Sequence, residues 1–241
     1  TVAAFIAEPV MGAGGVIVPP AGYFQKIQAV LRKHDVLMIA DEVICGFGRT
    51  GEMWGCKTFG IQPDILCCAK ALSASYLPIS AVLVSDEIYQ GMKGGTHEVP
   101  FGHGFTYGGH PVAAAVAVET LKIYQEIDII RHIKSVSPAL QDGLRTLASH
   151  PMVGEVRGVG LVAAIELVED KDSKRAFDGK RKIGAFVQEA AQEDGLILRA
   201  MGDTLAFAPP LIIAANEIAQ IVDKTAQALD RSWRALQSGR I

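Results

Sequence analysis

Several features are scarce in this 241-residue sequence, and each scarcity closes off a class of protein. There is no charge imbalance: 23 Lys and Arg against 26 Asp and Glu leave a net charge of −3. That excludes the basic face of a nucleic-acid binder and the polybasic patch of a membrane-surface protein. No apolar run approaches the ~18 residues of a membrane-spanning helix, and no stretch reads as a signal peptide. Cysteine is sparse, and the four residues at 45, 56, 67 and 68 fit neither a disulfide framework nor a closed zinc site. A reducing cytoplasm is therefore the expected compartment. The six histidines contain no HExxH and no tight metal spacing, so no metal is expected. Internal repeats and low-complexity linkers are also missing.

What is present is an ordinary globular composition, 49% hydrophobic and 20% charged, with length for one large domain or two moderate ones. Glycine is the informative excess, with 25 in all and 16 within the first 110 residues. That half must hold tight turns and close backbone approaches. Residues 1–7 form an apolar run without alternation, as in a strand covered on both faces. A helix is expected over 24–34, carrying Phe24, Ile27 and Leu31 on one side, and a second buried strand over 36–40 leads directly into Asp41-Glu42. Residues 46–60 read as a long irregular segment, 65–68 and 79–84 as strands, and 91–109 as a second glycine-rich loop. Helices follow over 111–124 and 127–149. Beyond these, strands at 153–157, 161–167, 196–199 and 205–207 alternate with helices at 181–193 and 216–233. Strands interleaved with helices predict an α/β fold. A domain boundary is expected near 130, giving 1–130 and 131–241 with a linking helix near 127–149.

Three charged residues stand at expected strand ends, where open α/β sheets place their ligands. Lys70 follows the run 65–68. A desolvated lysine there has a lowered pKa and can form a Schiff base, although a snorkelling surface lysine fits the position alone. Asp41 ends the neighbouring strand and suits a protonated pyridine nitrogen, or equally a cap or a salt bridge. Arg199, after Gly195-Leu196-Ile197-Leu198, offers a planar fork for a carboxylate. Glu8, after the first strand, could neutralise it when no carboxylate is present. The turn Thr106-Tyr107-Gly108-Gly109 offers a hydroxyl and backbone N–H groups to a phosphate. Cys67 and Cys68 read as small core residues, Trp54 as a pocket wall or plain packing, and His103 and His110, which flank the glycine-rich turn, as loop filling or pocket lining.

Taken in order, these residues fall into one pattern. Ala7-Glu8-Pro9-Val10-Met11-Gly12-Ala13-Gly14-Gly15, Asp41-Glu42-Val43, Gly46-Phe47-Gly48-Arg49-Thr50-Gly51, Pro63-Asp64-Ile65, Ala69-Lys70-Ala71-Leu72 and Thr106-Tyr107-Gly108-Gly109-His110-Pro111 together resemble the class III pyridoxal-phosphate (PLP) aminotransferases. The resemblance implies the type I fold of PLP-dependent transferases, with a large domain around a mainly parallel sheet and a smaller C-terminal α/β domain. It assigns Lys70 to the Schiff base with the cofactor and to proton transfer, Asp41 to the pyridine nitrogen, and Val43 to one ring face. Thr106 is similar to the threonine that reaches the phosphate of a cofactor bound by the neighbouring subunit, which implies a homodimer, with a tetramer open. The segment from Leu198-Arg199 to Pro209-Pro210-Leu211 resembles the branch that accepts pyruvate, with Arg199 on the acceptor carboxylate and Glu8 as its resting partner.

Two departures from the family pattern matter. Glycine usually follows the cofactor lysine, where this sequence has Ala71, so the backbone there must accept a Cβ. Family members also carry an N-terminal half ahead of the point where this sequence opens, supplying the phosphate loop, the stacking aromatic and part of the substrate pocket. Thr1 is therefore expected to follow a break or processing point, with the missing part present as another chain or lost. The implied activity is transfer of an amino group from an amine or ω-amino acid to pyruvate or another keto acid. The alternatives are a PLP-dependent aminomutase or racemase, and a scaffold that is catalytically incomplete if nothing supplies the missing half.

Overall fold

The computed structural model describes residues 1–93 and 102–240. Part of the glycine-rich loop expected over 91–109, and with it His97, lies outside the described residues. The chain divides into two compact units. One comprises Thr1–Pro9, Pro19–Phe47 and Glu52–Asp128; the other comprises Val10–Val18, Gly48–Gly51 and Ile129–Ile241.

The first unit is built on a four-stranded sheet in the order β1 (Ala4–Ala7), β2 (Leu37–Asp41), β3 (Ile65–Cys68) and β4 (Ala81–Val84). The first three strands are parallel and β4 is antiparallel to β3. Parallel neighbours need a crossover, and α1 (Tyr23–Lys33) supplies the one between β1 and β2. Phe24, Ile27 and Leu31 recur at helical spacing, and Phe24 joins Met38, Ala40, Cys56 and Ile61 in a buried cluster. Gln28 is buried on the same helix. Its amide donates to the carbonyls of Phe24 and Gly60 and its oxygen accepts from the N–H of Gln62, so burial leaves it satisfied. Arg32 and Lys33 occupy the last turn, where cations complement the helix dipole.

Strand register sets the two faces of this sheet. Phe5 pairs with Met38 and Ala7 with Ala40, and these side chains pack beneath α1. The intervening pairs, Ile6 with Ile39 and Asp41 with Cys67, point the other way because successive residues alternate. On that second face Ile6 is 60% exposed and Val82, the partner of Cys67, 65%. The apolar run at 1–7 is therefore covered on one face here, not on both.

Two short helices fall outside the helices expected from sequence: α2 (Gly55–Phe59), within the stretch read as irregular, and α3 (Asp86–Lys93), which runs into the expected loop. The longer α4 (Pro111–Glu126) starts with proline in its first turn, and its Ala117 packs with Phe47, Cys68 and Leu72 in a second cluster.

In the second unit α5 (Ile129–Thr146) precedes β5 (Val153–Val159) and β6 (Val162–Leu167). There follow α6 (Ile183–Glu193), β7 (Arg199–Met201), β8 (Thr204–Phe207) and α7 (Ala215–Gln237). The four strands form an antiparallel sheet in the order β5-β6-β8-β7. Ile133, Leu140, Leu144, Ile165, Val187 and Leu229 are fully buried and supply its core. Each such side chain is worth about 1.5–3 kcal/mol of burial. No helix among the described residues is long and apolar enough to cross a membrane.

Candidate active site

β2 and β3 end side by side in the first unit, and their ends carry the two charged groups. Asp41 is the last residue of β2, one position inside the strand rather than after it. Its Oδ1 accepts the Val43 N–H at 3.0 Å, an Asx-type turn that fixes the half-buried Val43 as the chain leaves the sheet. Among the described residues Oδ2 takes no hydrogen bond. Cys67 lies opposite Asp41 in the register, and Lys70 follows three residues later.

Lys70 opens a single turn of 3-10 helix, Lys70–Leu72, with φ +46 in the left-handed region. Its carbonyl accepts the N–H groups of Ser73 and Ser75 at 3.2 and 3.4 Å. The Tyr124 hydroxyl of α4 donates to the Ala71 carbonyl at 2.8 Å, so the turn is held from both ends. Ala71 is not in the left-handed region, and its Cβ is accommodated; the strained backbone belongs to Lys70 itself. Lys70 is exposed, the surface placement that fits its position alone.

Glu42 is the residue that sequence reasoning passed over. It is fully buried, and its two carboxylate oxygens accept the N–H groups of Gly55 and Cys56 at 2.8 and 2.6 Å. Those are orphan donors at the start of α2, so a buried carboxylate takes the place of a conventional cap. The available signal was alternation: the carboxylate next to Asp41 must point to the opposite side of the strand end.

The neighbouring thiols are held protonated. Burial and then the charge of Asp41 raise the Cys67 pKa; burial raises that of Cys68; burial together with a hydrogen bond to Glu42 raises that of Cys56 strongly. A protonated thiol is a poor nucleophile, which agrees with reading Cys67 and Cys68 as packing residues. Trp54 precedes α2 and packs in the same core, its ring 4.9 Å from that of Phe47. Glu8 is half-buried just past β1. Thr106 is exposed in a turn closed by the Gly108 N–H on the Phe105 carbonyl at 2.8 Å.

In the second unit, Arg199 begins β7 rather than ending a strand, and residues 196–198 belong to no strand. It is exposed and pairs with Ala206 across a hairpin whose turn is Gly202-Asp203, with Gly202 at φ +60. The Ala200 N–H donates to Gln188 Oε1 at 2.7 Å, and Asp203 Oδ1 accepts the Gly184 N–H at 2.8 Å. Both contacts tie the hairpin to α6.

The pattern of the aminotransferase class-III family matches residues 1–229 of this chain. The chain belongs to the class-III aminotransferases. Among its class-III relatives is gamma aminobutyrate transaminase 3, chloroplastic, of Solanum lycopersicum, 49% identical over 230 residues, which are 95% of this chain and 44% of the relative. The putrescine–pyruvate aminotransferase of Pseudomonas aeruginosa is 49% identical over 236 residues, 98% of this chain and 51% of that protein. The omega transaminase of Pseudomonas jessenii in complex with PMP superposes with a TM-score of 0.90 at 51% identity, covering 96% of this chain and 51% of that structure. A transaminase with L-ala superposes at 0.89 with 49% identity, over 98% and 51%. The chain thus spans about half the length of the class-III relatives it matches.

For a class-III chain the donor set fits the family cofactor. Lys70 presents an amine to a carbonyl group. Asp41 presents a carboxylate whose Oδ2 can accept from a ring N–H, because Oδ1 is already engaged by Val43.

Proposed function

We propose that the protein carrying this chain moves an amino group from an amine or ω-amino acid to pyruvate or a related keto acid, with PLP as cofactor. The observation that carries this reading is that Asp41 ends one parallel strand and Lys70 follows the end of its neighbour, in a chain whose class-III match runs nearly end to end. Support for the substrate class comes from the relatives, one named for gamma aminobutyrate and one for putrescine and pyruvate.

PLP, when bound, supplies an aldehyde that condenses with amines and a protonated ring that accepts an electron pair. Lys70 would hold the cofactor through Nζ and, as the free amine, would move the proton at the substrate α-carbon. Asp41 would keep the ring nitrogen protonated, and Val43 would line one side of the ring. Arg199 takes the carboxylate of the keto acid through its planar fork. Thr106 serves a phosphate in the partner subunit, so a homodimer belongs to the same reading. A cytoplasmic location is proposed because the four cysteines form no disulfide among the described residues.

The experiment is borohydride reduction of the PLP-loaded protein, followed by peptide mass mapping and a donor-only turnover assay. The expected result is one cofactor mass on Lys70, lost in Lys70→Ala, and turnover that stops without an external keto acid. A reduced sample with no adduct on Lys70 refutes the reading. Turnover without added keto acid would make it an isomerase.

A further inference from the structure

The motif Gly46-Phe47-Gly48-Arg49-Thr50-Gly51 contains an arginine that the proposed chemistry does not use. Residues 48–51 pack in the second unit, and Arg49 grips it at two places. Its Nη1 donates to the carbonyl of Leu161, in the turn between β5 and β6, at 2.9 Å. The same nitrogen donates to the carbonyl of Pro209, just past β8, at 2.6 Å. The Arg49 main chain reinforces the first contact by accepting the Leu161 N–H at 2.9 Å. The fit is close: a Cβ on Gly160, whose φ is +59, would lie 2.5 Å from the Arg49 carbonyl oxygen. From α5, Gln141 donates to the carbonyls of Gly160 and Val162 at 2.9 and 3.2 Å, so the turn that receives Arg49 is itself fixed.

Pro209 lies three residues beyond Ala206, the pairing partner of Arg199. The hairpin is tied to α6 at Ala200 and Asp203, and at its other end it is tied to Arg49 through Pro209. We propose that Arg49 is a positioning residue for the β7–β8 hairpin, setting where Arg199 offers its guanidinium to a substrate carboxylate. The carboxylate part rests on the reading of Arg199 given above. A charged donor shared by two buried carbonyls is a strong and directional tie, and a small displacement of a binding group costs affinity for the ligand it orients. The effect therefore falls on the carboxylate-bearing keto acid and spares an amine donor that has none.

The test uses the PLP-loaded protein, with pyruvate and a carboxylate-free amine as probes. Each half-reaction is followed by single-turnover absorbance, and amide hydrogen exchange is read by mass spectrometry. In Arg49→Met, KM for pyruvate rises about tenfold, the amine half-reaction changes less than about twofold, and exchange accelerates over 199–207 but not over β1–β3. Arg49→Lys keeps a donor on a different stem and shows the same split with a smaller rise of about threefold; it carries the test if Arg49→Met does not fold. Equal losses in both half-reactions, or unchanged exchange over 199–207, overturn the proposal. Arg199→Ala separates the two layers. If it leaves the pyruvate KM unchanged, the carboxylate reading falls and the positioning role falls with it. If it raises that KM while the Arg49 variants do not, the positioning role alone is overturned.

Discussion

Removing the Glu42 carboxylate should loosen the segment that connects the Asp41 strand end to α2. Glu42 is fully buried and accepts two main-chain N–H groups, at 2.8 Å from Gly55 and 2.6 Å from Cys56. Hydrogen bonds to a charged group contribute about 1.5–3 kcal/mol each, and a buried donor left unpaired costs about 1–3 kcal/mol. Glu42→Gln keeps one acceptor oxygen but turns an NH2 toward the other N–H, so it should cost about 2 kcal/mol. Glu42→Ala loses both acceptors and leaves a void, at about 4 kcal/mol. Urea unfolding followed by Trp54 fluorescence in a Trp233→Phe background reads the loss as a lower midpoint at unchanged slope. Exchange of the Gly55 and Cys56 amides should accelerate in parallel. A loss below about 1 kcal/mol for Glu42→Ala, or unaltered protection of those amides, would refute the assignment of Glu42 as the buried cap of α2.

Two further outcomes follow from the second unit. A Cβ at Gly184 would sit 2.1 Å from the Gly202 carbonyl oxygen, so Gly184→Ala should destabilise by about 3 kcal/mol. Gly179→Ala, where nothing lies within 4 Å, should stay within about 0.5 kcal/mol, and equal urea midpoints for the two variants would contradict the packing account. His150 accepts the Met152 N–H at Nδ1, and its Nε2 is 3.5 Å from Asp230, too far for a strong hydrogen bond. Burial therefore outweighs Asp230 and lowers its pKa. The unfolded chain then binds the proton more readily, so this contribution is present above about pH 6.5 and lost as pH falls through the lowered folded value. Midpoints measured between pH 7.5 and 5.5 should fall more steeply for the native protein than for His150→Gln; parallel slopes would reject the effect.

The position of Lys70 and Asp41 at neighbouring strand ends was legible because each follows a short apolar run, and charge at the end of such a run is a strong local signal. Core helices with a clear apolar stripe, such as the one carrying Phe24 and Leu31, were equally readable. Other features depend on tertiary partners that no local pattern reveals. The short helix α2 has no capping side chain of its own and is held by Glu42, thirteen residues upstream of Gly55. Arg199 starts a strand because its hairpin pairs with 204–206 and hangs on α6, whereas the apolar residues 196–198 gave the opposite impression. The run 1–7 reads as covered on both faces, yet only the register shows which face Ile6 takes.

The backbone of Lys70 carries one more consequence. A residue with a Cβ held at φ +46 gives up about 1–2 kcal/mol that glycine would not. The side chain that would relax this turn is thus the one with no amine to offer. A library at position 70 sorted for thermal resistance would enrich glycine, and one sorted for turnover would retain lysine. The two screens would pull the same codon in opposite directions, and the gap between their winners would measure the conformational cost of placing an amine there.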